Sequence, residues 1–403
     1  MKRLIPVLLA LVLLSGCSDR PSPTIPTRPH YTVPPTTVQA VEVTLPPETT
    51  IPADPTDPID LLLDSLSLRQ KVGQLFIAAP DQLLSDTAVT AMSDELLAAL
   101  DTYPLGGFIL FSENIQDPEQ ITALNQALTD ASMIPPFLSV DEEGGEVARL
   151  ADNSAFDLPL FESAAAVGAS GDPEDAKAMG QTIGAYLHQF GFNLNFAPVA
   201  DVNTNPNNPV IGERAFSTDP IVAAQMADAF AAGLRENGIC ATYKHFPGHG
   251  DTDQDSHYHL AVSYRHWEHL DTREWIPFRT ADVQDMIMVA HVALPYITGD
   301  MTPATLSRQI VSKILRDDLS FDGLVITDAM NMGAIADSYH SGEAAITALR
   351  AGCDLILMPA DVPEAFDSVL KAVENGTLTQ EWLDATVRRI LVFKQSHRIL
   401  TLS

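Results

Sequence analysis

Short apolar runs alternate with stretches of helical spacing through residues 59–403. Eight runs read as strands: 73–78, 107–111, 137–140, 192–197, 241–245, 286–290, 324–327 and 354–358. Most are rich in Val, Ile, Leu or Phe, as strands covered on both faces must be. Residues 176–190, 221–237, 342–351 and 363–374 repeat apolar positions at the helical period. Asn237-Gly238 and Ala351-Gly352 read as helix stops just ahead of a strand. Eight strand-then-helix units predict an α/β fold, a (β/α)8 TIM-type barrel, with a doubly wound open sheet as the alternative. No G-x-G-x-x-G follows any strand and no P-loop motif occurs, so nothing indicates a dinucleotide or nucleoside triphosphate site.

The pattern changes before residue 59. Lys2 and Arg3 precede an apolar run at 4–14, too short for a bilayer span of roughly 20 residues. Leu14-Ser15-Gly16-Cys17 follows and resembles a bacterial lipobox. Residues 1–17 therefore read as a lipoprotein signal peptide. Cys17 would become the lipidated N-terminus of an extracytoplasmic protein anchored to the cell membrane. An ordinary signal peptide is the alternative. Residues 18–58 hold 11 of the chain's 29 prolines and many threonines. Proline fixes φ and removes donors, so this stretch reads as an extended linker reaching at most ~130 Å. Residues 59–403 are then one catalytic domain.

Charge narrows the partners. The chain carries 23 basic and 53 acidic residues, a net charge of −30. Such a surface repels nucleic acid and lacks the basic patch that docks on anionic lipid. Membrane association is expected only through the lipid anchor, and the protein is expected to be a monomer. Hydrophobic residues make up 46% of the chain, enough for a sizeable core. Three cysteines make no disulfide framework; Cys240 and Cys353 open predicted strands five and eight and read as small buried hydrophobes.

In a barrel of this type the chemistry sits at the carboxyl ends of the strands. Strand three leads into Asp141-Glu142-Glu143-Gly144-Gly145, then Arg149. After strand four come Asp201 and, later, Gly212-Glu213-Arg214. Strand five runs into Lys244-His245-Phe246-Pro247-Gly248-His249-Gly250-Asp251, and its loop continues to Asp255-Ser256-His257. Strand six meets His291, and strand seven ends in Thr327-Asp328-Ala329-Met330. Carboxylates and imidazoles thus converge on one rim.

With these motifs in this order, the chain resembles the family 3 glycoside hydrolases, in their β-N-acetylhexosaminidase branch. The resemblance implies retaining exo-hydrolysis of terminal β-linked N-acetylglucosamine, from peptidoglycan fragments or related amino-sugar glycans. It implies a covalent glycosyl-enzyme on Asp328, with His257 as acid/base partnered by Asp255. Asp141, Arg149, Arg214, Lys244 and His245 match the sugar-binding positions, and no cofactor or metal is implied. A histidine suits a group that must donate and then accept a proton near neutrality. Asp255, at i−2, can lie on the same side of an extended loop and orient the ring. Asp328 could instead cap a helix, and the sugar-binding set could be rim ion pairs. Two positions depart from the family pattern: Glu146 where arginine is frequent, and Ala261 where proline is frequent.

Other chemistries fit less well. His245, His249, His257 and His259 crowd with Asp251, Asp253 and Asp255, but match no H-E-x-x-H-like zinc signature. No G-x-S-x-G elbow occurs. A β-N-acetylglucosaminide phosphorylase or other β-glycosidase on the same fold is one alternative. A non-catalytic glycan-binding lipoprotein is another.

Overall fold

A computed structural model describes residues 57–84 and 88–402. The signal segment, Cys17 and the linker as far as residue 56 lie outside the described residues.

All eight expected strands form. They are β1 Phe76–Ala78, β2 Gly107–Ile109, β3 Phe137–Val140, β4 Leu194–Asn195, β5 Cys240–Phe246, β6 Met286–Val289, β7 Leu324–Thr327 and β8 Ile356–Leu357. Every neighbouring pair from β8 through β1 round to β7 is parallel. The last seam, between β7 and β8, is closed by a parallel bridge from Ile326 to Leu355. Leu357 N–H also donates to the Thr327 hydroxyl across that seam at 2.9 Å. The result is a closed barrel rather than the open sheet.

The helices start where aspartate and proline meet. Asp57, Asp117, Asp172 and Asp219 each cap a helix whose first residue is proline: Pro58–Ser65, Pro118–Asp130, Pro173–Gln189 and Pro220–Glu236. The carboxylate accepts the free N–H groups of the first turn, and proline lacks the N–H that would otherwise be orphaned. This device starts two helices one and three residues ahead of the expected 221 and 176. It also brings Asp57 and Pro58, assigned above to the linker, into the first helix of the domain.

The amino end of the barrel is sealed by the helix Gln380–Ser396. Its Lys394 is fully buried, donates to Gln74 Oε1 at 2.9 Å and the Gly106 carbonyl at 2.8 Å, and lies 4.7 Å from the Phe137 ring. Burial pushes this ammonium down to about 7. Cys240 and Cys353 are buried and free. The polar side chains of interest gather at the other end.

Candidate active site

A cavity of about 320 Å³ opens at the carboxyl end of the barrel. Its walls include Asp141, Glu143, Arg149, Arg214, Lys244, His245, His257 and Asp328. Among the eight residues singled out for site roles, only Asp255 is absent from the wall, and it holds one that is present.

The floor is a buried ionic network. Lys244, on β5, reaches Asp141 at 2.7 Å and Glu143 at 2.6 Å. Arg214 meets Glu143 with two parallel hydrogen bonds of 2.8 Å, the fork geometry that suits a carboxylate. Burial works against the charge on Glu143, but Arg214 and Lys244 outweigh it and hold the carboxyl well below the usual range. Burial likewise opposes the Lys244 cation, and Asp141 and Glu143 raise it instead. Lys244 and Arg214 are therefore both ion-paired and cavity-facing.

Asp201, fully buried after β4, ties the next layer. One oxygen accepts from the His245 ring Nδ1 at 2.7 Å and from His245 N–H at 3.1 Å; the other accepts from His249 N–H at 2.6 Å. Burial disfavours its charge, but His245 and His249 bring it below the ordinary value. His249 is itself buried and spans its own loop, with its two ring nitrogens at 2.7 Å from Thr252 Oγ1 and 2.9 Å from Ser256 Oγ. Burial, then the neighbouring His245, keeps His249 below the usual imidazole value.

Arg149 is presented by a different buried carboxylate. Glu142 accepts three backbone N–H groups, from Arg149, Leu150 and Ala151, and the Tyr186 hydroxyl. That bonding fixes the turn after β3. The Arg149 guanidinium sits 5.9 Å from the centre of the Phe111 ring, and its Nε has no hydrogen-bond partner among the described residues. Glu146 is exposed, and Ala261 is buried in a short ribbon where it pairs with Val292.

Asp328 follows β7. Its N–H donates to the Val289 carbonyl at 2.8 Å, and its Oδ1 accepts from Ala329 N–H at 2.8 Å. It caps no helix: the next one, Gly333–Ala336, has Met332 at its cap position. Burial opposes its charge, but His245, His291 and the Ala329 N–H keep the carboxyl below its ordinary value. It is an ionised, half-buried carboxylate facing a cavity.

His257 comes from the loop after β5. Asp255 Oδ1 accepts from its backbone N–H at 2.9 Å and meets its ring Nδ1 at 2.7 Å, so the ring is oriented by its i−2 neighbour. The loop rests on the segment behind Asp328: Gly333 N–H donates to the His257 carbonyl at 3.0 Å. A Cβ on Gly333 would stand 3.0 Å from that oxygen and 3.1 Å from the Tyr258 oxygen, so glycine permits the approach. Seated there, the loop turns His257 into the same cavity as Asp328.

The sequence matches the family model described as glycosyl hydrolase family 3 N terminal domain over residues 67–393. The chain belongs to that family. Among similar proteins is a Beta-hexosaminidase A of Pseudoalteromonas piscicida, 34% identical over 337 residues, covering 76% of this chain and 56% of that protein. A Beta-hexosaminidase of Alkalilimnicola ehrlichii is 36% identical over 288 residues, covering 70% of this chain and 81% of that protein. A solved family 3 beta-N-acetylglucosaminidase from Paenibacillus sp. superposes with a TM-score of 0.78 at 37% identity, covering 84% of this chain and 65% of that one. This family 3 chain therefore spans a little over half the length of the first relative.

Two residues of the site escaped the sequence reading. Glu143 sits inside a motif that drew attention to Asp141, and Asp201 was noted after strand four without a role. Their position after barrel strands was the available signal.

Proposed function

We propose that this chain is a retaining exo-β-N-acetylglucosaminidase. The observation that carries the reading is that the ionised Asp328 and the Asp255-oriented His257 line one cavity of a closed barrel. Family membership and the hexosaminidase relatives support the substrate class.

In this mechanism Asp328 attacks the anomeric carbon while His257 gives its proton to the departing oxygen. A water then loses a proton to His257 and releases the sugar from Asp328. Asp255 stabilises the imidazolium that enters the first step and is re-formed in the second. The Oδ1–Ala329 bond leaves the second carboxylate oxygen of Asp328 for attack. Asp141, Lys244, His245, Arg149 and Arg214 bind the sugar hydroxyls and acetamido group, and the bonds of Lys244 to Asp141 and Glu143, of Arg214 to Glu143 and of His245 to Asp201 hold those side chains ready without substrate. The first step needs Asp328 ionised and His257 protonated. Lipid anchorage through Cys17 would set the enzyme outside the cytoplasm, beside peptidoglycan fragments or other amino-sugar glycans.

Hydrolysis of a chromogenic β-N-acetylglucosaminide tests the reading. Turnover is expected in wild type and lost in Asp328→Ala. Turnover that survives the substitution removes Asp328 from the role. Sugar-1-phosphate as the product in phosphate buffer would make the chain a phosphorylase. Sugar binding without any turnover would make it a glycan-binding protein.

A further inference from the structure

We propose that Tyr264, His266 and Tyr296 form a second saccharide site, a stacking platform for the leaving-group side of a neutral oligosaccharide whose terminal sugar occupies the cavity. The inference rests on the hydrolase reading above.

The three rings form one exposed cluster. Tyr264 and Tyr296 are 58% and 56% exposed and meet edge to face at 5.7 Å. His266 stacks on Tyr296 at 4.6 Å with an interplanar angle of 22°. Single exposed hydrophobes need no explanation, but contiguous aromatic rings in water mark a contact surface.

The cluster stands on a rigid base. Ala261–Val262 and Val292–Ala293 form a parallel ribbon, extended by Ser263 N–H donating to the Ala293 carbonyl at 3.0 Å. Asp251 accepts from Ser263 Oγ at 2.9 Å and from Arg265 Nε at 2.8 Å, closing the foot of the loop that bears His257. Rings already fixed in place lose little freedom when a ligand stacks on them.

Both strands of that ribbon lead back to the reaction centre. Ala261 lies four residues beyond His257, at most about 14 Å along the chain. Val292 directly follows His291, whose Nε2 lies 3.0 Å from the Ala329 carbonyl beside Asp328. A proton donor must face the oxygen of the bond being broken. The leaving group therefore departs on the His257 side, and a longer chain continues over the ribbon.

The chemistry of the platform selects the occupant. Aromatic faces with hydroxyl and ring-nitrogen edges match the C–H faces and hydroxyl rim of a sugar. A chain of net charge −30 repels polyanions, and Arg265, the cation between Tyr264 and His266 in sequence, is engaged by Asp251. A neutral glycan fits both facts.

The test uses the full chain and the double variant Tyr264→Ala/Tyr296→Ala. Substrates are a β-1,4-linked N-acetylglucosamine tetrasaccharide and an aryl N-acetylglucosaminide. The ratio of kcat/KM for the tetrasaccharide to that for the aryl glycoside should fall about tenfold, the size of one or two ring contacts, with the change in KM. An unchanged ratio overturns the platform. Calorimetric titration of the tetrasaccharide into Asp328→Asn chains, with and without the tyrosine substitutions, reads the platform apart from turnover. There a Kd about tenfold weaker is expected, and equal Kd values overturn it. A wild type that cleaves neither substrate defeats the hydrolase reading, and the calorimetry still judges the platform. Self-association abolished by the double variant, with sugar affinity unmoved, would give this face to a second copy of the chain instead.

Discussion

On the floor of the cavity, Lys244 and Glu143 each expose 3% of their side chains and are joined with Arg214 and Asp141 in one network. On the loop above, the His257 side chain is 59% exposed and has one side-chain partner among the described residues, Asp255, itself 32% exposed. The floor is fixed by charges that are expensive to separate in a dry interior. The loop is fixed by a short local hydrogen bond and by a glycine that lets it rest on the barrel. The difference suits the two proposed tasks. Sugar-binding groups gain from being immobile before substrate arrives. A proton donor must reach the scissile oxygen and still let the leaving group out, which an exposed loop allows.

The comparison breaks most visibly at Asp328, the proposed nucleophile. Asp328→Asn should lower kcat by about four orders of magnitude or more, since the intermediate can no longer form. Circular dichroism should show an unchanged fold. The loop's contribution is smaller and selective. His257→Ala should lower kcat/KM by about 10²–10⁴ for glycosides with poor leaving groups, and hardly at all for a dinitrophenyl glycoside, which needs no proton. Equal losses on both substrates would deny His257 the acid role.

Much of this was legible in the sequence, and the reason differs by region. Strand positions came through because barrel strands are continuous apolar runs; 137–140 and 324–327 agree residue for residue with β3 and β7. The 192–197 run shrank to Leu194–Asn195, where the Asn195 side chain bonds the Glu142 N–H and carbonyl. The His257–Asp255 contact was readable because it spans two residues. The roles of Glu143 and Asp201 were not, because their partners lie 71 and 44 residues away and a buried hub looks like any other aspartate or glutamate. Long-range ion pairing leaves no local periodicity to read.

Stability should separate the two regions next. Lys244→Met leaves Asp141 and part of Glu143 as unpaired charge, and should cost about 3–5 kcal/mol in urea unfolding. The corresponding cut on the loop, Asp255→Asn, should cost less than about 1 kcal/mol, because its pair with His257 is partly exposed. It should nonetheless reduce kcat through the misoriented ring. Comparable losses of stability from the two substitutions would mean that the loop is as deeply anchored as the floor.

The finest probe lies at the joint between them. Glu274 is fully buried; Thr204, in the β4 loop, donates to its Oε1 at 3.1 Å, and Gly248, in the β5 loop, packs against its side chain. Its Oε2 has no partner among the described residues. Burial, with lesser contributions from Asp251 and Asp201, pushes this carboxyl up to about 8 from 4.5. Below the unfolded value both states hold the proton. Between 4.5 and about 8 the folded state binds more protons than the unfolded one, so this group's contribution falls as pH rises. Glu274→Gln resembles the protonated acid and cannot ionise. Its Tm should match wild type near pH 4 and exceed it by a few degrees near pH 8. A difference that stays constant across that range would mean Glu274 is already ionised in the fold, and the joint would then have to be held by charge, as the floor is.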